Sequence, residues 1–107
     1  MNIDTISSLL REYIGKDFSD IKASELQSAL EDFFRNANYK VEREVWVNDR
    51  GDGRRGRVDI VLYKDGARTG IEIDRATPRK KSIVKLHQLK TSYRYVITRS
   101  PFKIIPV

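Results

Sequence analysis

The spacing of apolar residues in the first 38 positions predicts two helices. Asp4 is placed to cap a first helix that runs to about Ile14, where Gly15 ends its apolar stripe. A second helix is predicted to begin at a cap on Ser24, with Gln27 three residues later completing a capping box. Its apolar residues recur with the period of a helix that faces a core: Leu26, Leu30, Phe33, Phe34 and Ala37.

After the Asn-Ala-Asn stretch at 36–38, the pattern changes to the two-residue period of strands. Thr77 as cap and Pro78 as first helical residue then predict one more helix. In chain order the predicted elements are a strand over 39–48, a polar glycine-rich loop over 48–56, a strand over 57–63, a hairpin loop at 64–67, a strand over 70–74, the helix from 77 to about 91, a strand over 94–98 and a short strand over 103–105.

The order of these elements predicts an α/β (α+β) fold. Three consecutive strands with short connections form an antiparallel meander, and a helix then crosses to the next strand. We therefore expect a mixed sheet of four or five strands flanked by helices, in the order ααβββαβ with a final short strand. The length of 107 residues fits one domain, whose core lies at about 22–100.

Composition narrows the class of protein. The absence of cysteine excludes a disulfide framework and a thiolate metal site. No apolar run approaches the ~18 residues of a membrane span. The first residues lack the basic and apolar regions of a signal peptide, so we expect a cytoplasmic protein with no membrane partner.

Charge is distributed unevenly along the chain. Residues 1–74 hold 12 Lys and Arg against 15 Asp and Glu, a net charge of −3, whereas residues 75–107 hold nine Lys and Arg and no acid. Basic residues concentrated in one region are typical of a protein that binds a polyanion. Nucleic acid is therefore the expected partner, and a basic surface that only aids solubility is the alternative.

Acidic residues stand inside two apolar strands. Asp59 lies in GRVDIVLY, and Glu72 and Asp74 lie in GIEID. With a hairpin loop at 64–67, Asp59 faces Glu72 and Arg57 faces Asp74. Like charges that face each other in a sheet are destabilising, so the acids must raise a pKa or bind a cation. Oxygen ligands suit Mg²⁺ or Mn²⁺. A cross-strand ion pair is the other reason for acids here.

These residues and this element order resemble the PD-(D/E)XK nuclease superfamily, which includes restriction endonucleases and Holliday junction resolvases. The family places an acidic residue on its second core strand, matched here by Asp59, and a Glu-x-Lys on its third, whose Glu is matched by Glu72. It often carries a Glu on its first core helix, matched by Glu25 in ELQSALEDFFRNANYKVERE. The lysine of Glu-x-Lys is replaced here by Asp74.

The resemblance implies a metal-dependent DNA endonuclease with a restriction-endonuclease-like core. Asp59 and Glu72 would be direct ligands of Mg²⁺ or Mn²⁺, and the Ile73 carbonyl could be a third. Asp74 would hold a metal-bound water or a second ion. A bound divalent ion lowers the pKa of water and counters the charge of the pentavalent phosphate.

The missing lysine has two candidate replacements on the helix that follows Asp74. In some family members the lysine has moved to this helix, which nominates Lys81 and Lys85 to stabilise developing negative charge. Glu25 would act from outside the ligand set by orienting a ligand water. A solvated helix face explains the lysines without any catalytic role.

Residues expected to contact DNA lie in the glycine-rich loop and around the third predicted helix. We also expect a homodimer, since two sites related by a two-fold axis suit a two-fold DNA target. A catalytically inactive nuclease-like module that binds DNA or a protein is the alternative function. The expected DNA contacts are Arg50, Arg54, Arg55, Arg75, Arg79, Lys80, Lys81, Lys85 and Lys90.

Overall fold

The computed structural model describes residues 21–107, which form an α+β fold with a mixed five-stranded sheet. The predicted fold class is confirmed. The predicted helix over 4–14 lies outside the described residues. The elements are α1 (Ala23–Asn36), β1 (Lys40–Val47), β2 (Gly56–Lys64), β3 (Ala67–Asp74), α2 (Lys80–Gln88), β4 (Tyr93–Arg99) and β5 (Phe102–Pro106), and the strands lie side by side in that order.

Helix α1 begins earlier than its predicted cap. Lys22 is the N-cap residue and its side chain makes no capping hydrogen bond, so Ser24 lies inside the helix and the capping box is wrong. The end of α1 agrees with the prediction. Asn38 adopts a left-handed conformation with φ 67°, and the Tyr39 N–H donates to the Phe34 carbonyl at 3.0 Å. This is the Schellman arrangement that commonly closes helices.

The hairpin between β2 and β3 has the predicted register. Asp65 and Gly66 form its tip, both with positive φ (51° and 79°), as a tight two-residue hairpin turn requires. Lys64 pairs with Ala67, and the antiparallel ladder continues as far as Ile60 and Ile71. This register brings Asp59 opposite Glu72.

Helix α2 makes the crossover from β3 to the parallel strand β4. It is shorter than predicted at both ends, because its N-cap is Arg79 rather than Thr77 and because Leu89 is already extended. Near its start the Asp74 carboxylate accepts hydrogen bonds from the Arg79 N–H and the Ser82 hydroxyl, each at 2.8 Å. An acid from the preceding strand therefore does part of the work expected of a cap on Thr77.

The core has one part on each face of the sheet. On one face, α1 packs Leu26, Leu30 and Phe34 against strand residues that include Ile60, Leu62, Ile71, Ile73 and Ile97. On the other, α2 packs Leu86 and Leu89 against Val61 and Val96 among others. Neither helix in residues 21–107 is long and apolar enough to cross a membrane.

Candidate active site

The β2–β3 ladder gives way to side-chain hydrogen bonds beyond Ile60 and Ile71, where the next two opposed residues are acids. The Asp59 N–H donates to Glu72 Oε2 at 3.0 Å, and the Ile73 N–H donates to Asp59 Oδ2 at 2.8 Å. The two carboxylates thus satisfy the backbone groups that a continued ladder would have paired. This holds both acids at the point where the strands separate.

Lys85 on α2 completes a cluster with these two acids. Its Nζ contacts Glu72 Oε1 and donates to the Arg57 carbonyl at 3.0 Å. The lysine side chain is only 14% exposed, and that of Glu72 is 1% exposed. A Cβ at Gly56 would lie 2.9 Å from Lys85 Cδ, so the glycine leaves room for the lysine stem.

The electrostatics of the cluster are dominated by burial. Desolvation raises the pKa of Glu72 to about 8, and the neighbouring Asp59 carboxyl acts in the same direction, while Lys85 opposes them. Two carboxylates in contact share a proton more easily than they hold two negative charges. The pair is therefore a place where either a proton or a cation stabilises the fold.

Asp74 does not join this cluster, although it lies two residues from Glu72 on the same strand. Its Oδ1 accepts from Arg79 Nε and the Ser82 hydroxyl, and its Oδ2 accepts from the Arg79 N–H, all at 2.8 Å. The prediction that Asp59, Glu72 and Asp74 lie at one place is therefore wrong for Asp74. Arg57 was expected to face Asp74, but its Nε lies 3.9 Å from Glu44 Oε2 instead.

The donor set of the cluster fits a hard divalent cation with a small number of protein ligands. Within residues 21–107 no three carboxylate or histidine groups gather at one place. Asp59 and Glu72 do meet, and Mg²⁺ is commonly bound through one or two carboxylates while it retains several waters. The two acids fit that role, whereas Asp74 lies outside the pair, held by Arg79 and Ser82 at the start of α2.

The two lysine candidates on α2 have different surroundings. Lys85 lies at Glu72, whereas Lys81 is exposed. The hydrogen bond from Arg50 lowers the pKa of Asp52 to about 2, and Lys81 is close enough to act in the same direction. Of the two, only Lys85 contacts the acidic pair.

The α1 residue that reaches the acidic pair is Gln27 rather than the predicted Glu25. Glu25 lies exposed in the first turn of α1. Gln27 Nε2 instead donates to the Asp59 carbonyl at 3.1 Å, and it lies 3.4 Å from Glu31 Oε2. Glu31 is 3% exposed and lies next to Leu30 in the apolar stripe. An acid beside the apolar stripe was the sequence feature that indicated buried polar contacts on this face of α1.

The basic loop residues gather beside the cluster. The Asp49 carboxylate orders the loop by accepting from the N–H groups of Gly51 (2.7 Å) and Gly53 (2.9 Å). Gln88 on α2 ties the same loop down by accepting from the Asp49 N–H at 2.9 Å. A cavity of about 290 Å³ opens between this loop and the sheet, lined by Glu44, Trp46, Arg50, Arg55, Gly56, Arg57 and Lys85.

The other basic residues expected to contact DNA are spread over the surface. Arg79 is held by Asp74, although its side chain is 63% exposed. Arg75 lies with Arg99 at a separate hollow beyond the end of β3. The fold therefore brings Arg50, Arg55 and Lys85 together around one cavity, of which only Lys85 contacts the acidic pair, and it leaves elsewhere Arg54, Arg75, Arg79, Lys80, Lys81 and Lys90.

Comparison with known proteins gives a likeness of fold alone. No known family profile matches the chain, and no curated protein matches it. Among solved structures it is similar to the protein of unknown function AF1548, with a TM-score of 0.53 and 16% sequence identity. The likeness covers 67% of this chain and 44% of that one, so the chain spans less than half the length of this structural neighbour.

Proposed function

We propose that this chain is a metal-dependent DNA endonuclease of the PD-(D/E)XK type, in which Lys85 from α2 replaces the lysine of the Glu-x-Lys motif. The observation that carries the proposal is the contact of Lys85 Nζ with Glu72 Oε1 beside Asp59. An acid from each of two adjacent strands and one lysine are thereby assembled. They are the residue types that the motif requires, although the lysine comes from a different element.

The burial of the cluster supports a catalytic role over a purely structural one. Buried ion pairs contribute little net stability, because desolvation offsets their attraction. A carboxylic acid whose pKa is raised to about 8 by burial and by a second carboxyl is the kind of perturbed group that concentrates at functional sites. A cation that replaces the shared proton would relieve both effects.

In the proposed reaction, water adds to phosphorus and one P–O ester bond breaks, with a proton passing to the departing oxygen. A divalent ion held by Asp59 and Glu72 would supply Lewis acidity and an activated water. Lys85 uses one N–H on Glu72 and one on the Arg57 carbonyl, which leaves the third for a phosphate oxygen. Lys85 there stabilises the negative charge that develops on the phosphate.

Gln27 has a positioning role in this proposal. Its amide holds the Asp59 carbonyl at 3.1 Å, so it fixes the backbone of the residue whose carboxylate faces Glu72. Hydrogen bonds that orient ligands commonly matter to metal sites nearly as much as the ligands do.

The test is cleavage of supercoiled plasmid and of branched DNA with Mg²⁺, Mn²⁺ or EDTA. We expect cleavage only with metal, and a loss of about 100-fold or more in Lys85→Met, the size of effect seen when one transition-state donor is removed. Lys90→Met is the matched control, since Lys90 is exposed just beyond α2 and outside the site.

Absence of cleavage on every substrate, or a Lys85→Met protein that cuts like the Lys90→Met control, would remove this function. The proposed homodimer is tested separately by sedimentation equilibrium with and without duplex DNA. A protein that stays monomeric on DNA and still cuts both strands would contradict the dimer without affecting the site.

A non-cleaving DNA-binding module is the second candidate function. It is favoured by Asp74, which is engaged by Arg79 and Ser82, and by Lys85, whose Nζ already contacts Glu72 Oε1. This candidate predicts salt-sensitive DNA binding that persists in Asp59→Ala. It also predicts no heat on calorimetric titration with Mn²⁺, whereas the endonuclease predicts metal binding that Glu72→Gln abolishes.

A further inference from the structure

We propose that Trp46 and the arginines around it form a stacking site for an unpaired base of single-stranded DNA, beside Lys85. The inference deepens the proposed function, on which it rests, by naming a substrate class: DNA with a single-stranded segment next to the cut. The binding step itself needs no metal. It can therefore be measured apart from cleavage.

The exposure of Trp46 is the first observation. Its side chain is 54% exposed on the edge strand β1, and within residues 21–107 the only other exposed large hydrophobic residue is Tyr93 at 46%. Trp46 belongs to neither part of the core. A single exposed aromatic residue is common on protein surfaces, and what distinguishes Trp46 is the cavity and the arginines beside it.

The arginines give this surface its specificity for an anionic, aromatic ligand. The guanidinium groups of Arg55 and Arg57 lie over the Trp46 ring, with their carbons 4.5 and 5.0 Å from its centre, so a base that stacks on a covered face displaces a guanidinium toward the neighbouring phosphate. Arg57 is the cross-strand partner of Trp46 in the β1–β2 ladder. Base stacking on an aromatic ring, with arginines on the adjacent phosphates, is how single strands are commonly bound.

The cavity beside Trp46 has the size and position for one nucleotide. Its volume of about 290 Å³ is at the lower limit of ligand pockets, ~300 Å³. Lys85 lines it and also contacts Glu72, so a phosphate next to the stacked nucleotide lies at the acidic pair. Glu44 is the one acid among the residues that line this cavity.

The loop that forms one wall of the cavity is held by its own hydrogen bonds before any ligand binds. Arg50 is held by Asp52 at 3.0 Å, and the Asp49 carboxylate binds the Gly51 and Gly53 N–H groups of the loop. An ordered wall reduces the conformational entropy lost on binding. A duplex presents no free base face to this wall, because its bases are stacked and paired, whereas a single strand does.

The experiment measures DNA binding in EDTA, where no metal-dependent cleavage occurs. Trp46 is the only tryptophan in the sequence, so its fluorescence reports on this site alone. The probes are a 20-nucleotide oligo(dT) and a blunt duplex of 20 base pairs. We expect the single strand to quench Trp46 and to bind at least 5-fold more tightly than the duplex.

Variants are compared by the anisotropy of fluorescein-labelled oligo(dT). Trp46→Leu is expected to weaken binding by about 5- to 100-fold, the range of one base stack. Tyr93→Leu is the matched control, since it removes an exposed aromatic residue far along the chain from this cavity. Arg55→Gln should weaken binding, and Arg54→Gln, next to it in the loop, should weaken it less. Circular dichroism checks that each variant is folded.

Three outcomes would overturn the inference: equal affinity for the two probes, Trp46→Leu binding like Tyr93→Leu, or Trp46 fluorescence that follows protein concentration rather than DNA. The last result would assign this face to contact between copies of the chain. If Trp46→Leu fails to fold, the Arg55→Gln and Arg54→Gln pair decides. Single-strand binding without any cleavage would support this inference while the proposed function fails.

Discussion

Glu72 and Asp74 lie two residues apart on the same strand, are both buried, and meet different fates. Asp74 accepts three hydrogen bonds from the start of α2, and these engage both of its oxygens. Glu72 faces a second carboxylate and one ammonium, and its pKa is raised to about 8. The comparison teaches that two acids equally buried on one strand are distinguished by the partners that neighbouring elements bring to them.

The largest difference between substitutions of the two acids is expected in the rate of DNA cleavage. Glu72→Gln should reduce Mg²⁺-dependent cleavage by more than about 100-fold, because residues that only orient metal ligands already cost ~10- to 100-fold. Asp74→Asn keeps the size of the side chain and one acceptor oxygen, and it should slow cleavage by less than about 10-fold because Asp74 lies outside the acidic pair. Both are measured as plasmid nicking rates at saturating metal. Equal losses would mean that Asp74 acts in the site after all.

The pH dependence of the unfolding free energy is the second measurement expected to distinguish the two acids. Folded Glu72 holds its proton up to a pKa of about 8, whereas its ordinary value is 4.5. In EDTA the unfolding free energy should therefore fall as pH rises from about 4.5 to 8, by an amount on the order of a few kcal/mol. Denaturant titrations at pH 5, 6, 7 and 8 measure it.

Two controls attribute this pH dependence to Glu72. Glu72→Gln should flatten the profile, because an amide does not titrate. Mg²⁺ should stabilise the wild-type protein more at pH 8 than at pH 5, since metal binding displaces the proton. A wild-type profile that rises through this range would contradict the shared-proton account.

Loss of the Asp74 contacts is expected to affect stability rather than catalysis. Asp74→Ala leaves the Ser82 hydroxyl and the Arg79 N–H without their acceptor, and we expect a cost of about 2 to 4 kcal/mol in unfolding free energy. Ser82→Ala removes one donor only and should cost about 1 kcal/mol. Urea denaturation of both variants tests this ratio, and similar costs would contradict the assignment of Asp74 as the organiser of α2.

The smallest expected effect tests how Lys85 reaches Glu72. Gly56→Ala places a methyl 2.9 Å from both Lys85 Cδ and Arg50 Cβ, so we expect a cost of about 1 to 3 kcal/mol and slower cleavage. In a Lys85→Ala background the same change should cost less, because the stem is gone. Unfolding free energies of the four proteins give this coupling, and strict additivity would show that Gly56 does not guide the lysine.

The local sequence was enough for the elements whose signals lie within a few residues. The apolar period of α1, the Asp65–Gly66 turn and the short β1–β2–β3 connections required no distant partner. The register that sets Asp59 against Glu72 followed from the length of that turn. The caps at Ser24 and Thr77 were wrong because capping depends on which groups lie near in space. At α2 the Asp74 carboxylate binds the N–H of the N-cap residue Arg79 and the Ser82 hydroxyl.

The sequence by itself determined the mixed sheet, the three-strand meander and the pairing of two acids, since alternation and turn length are local properties. Only the tertiary structure decided that Asp74 is the acid held by hydrogen bonds from α2 and that Lys85 is the lysine that contacts Glu72. Both answers depend on where α2 crosses the sheet, which brings Ser82 to Asp74 and Lys85 past Gly56 to Glu72. The sequence of a helix does not specify which strand residues its side chains will contact, because those contacts are set only when the helix packs on the sheet.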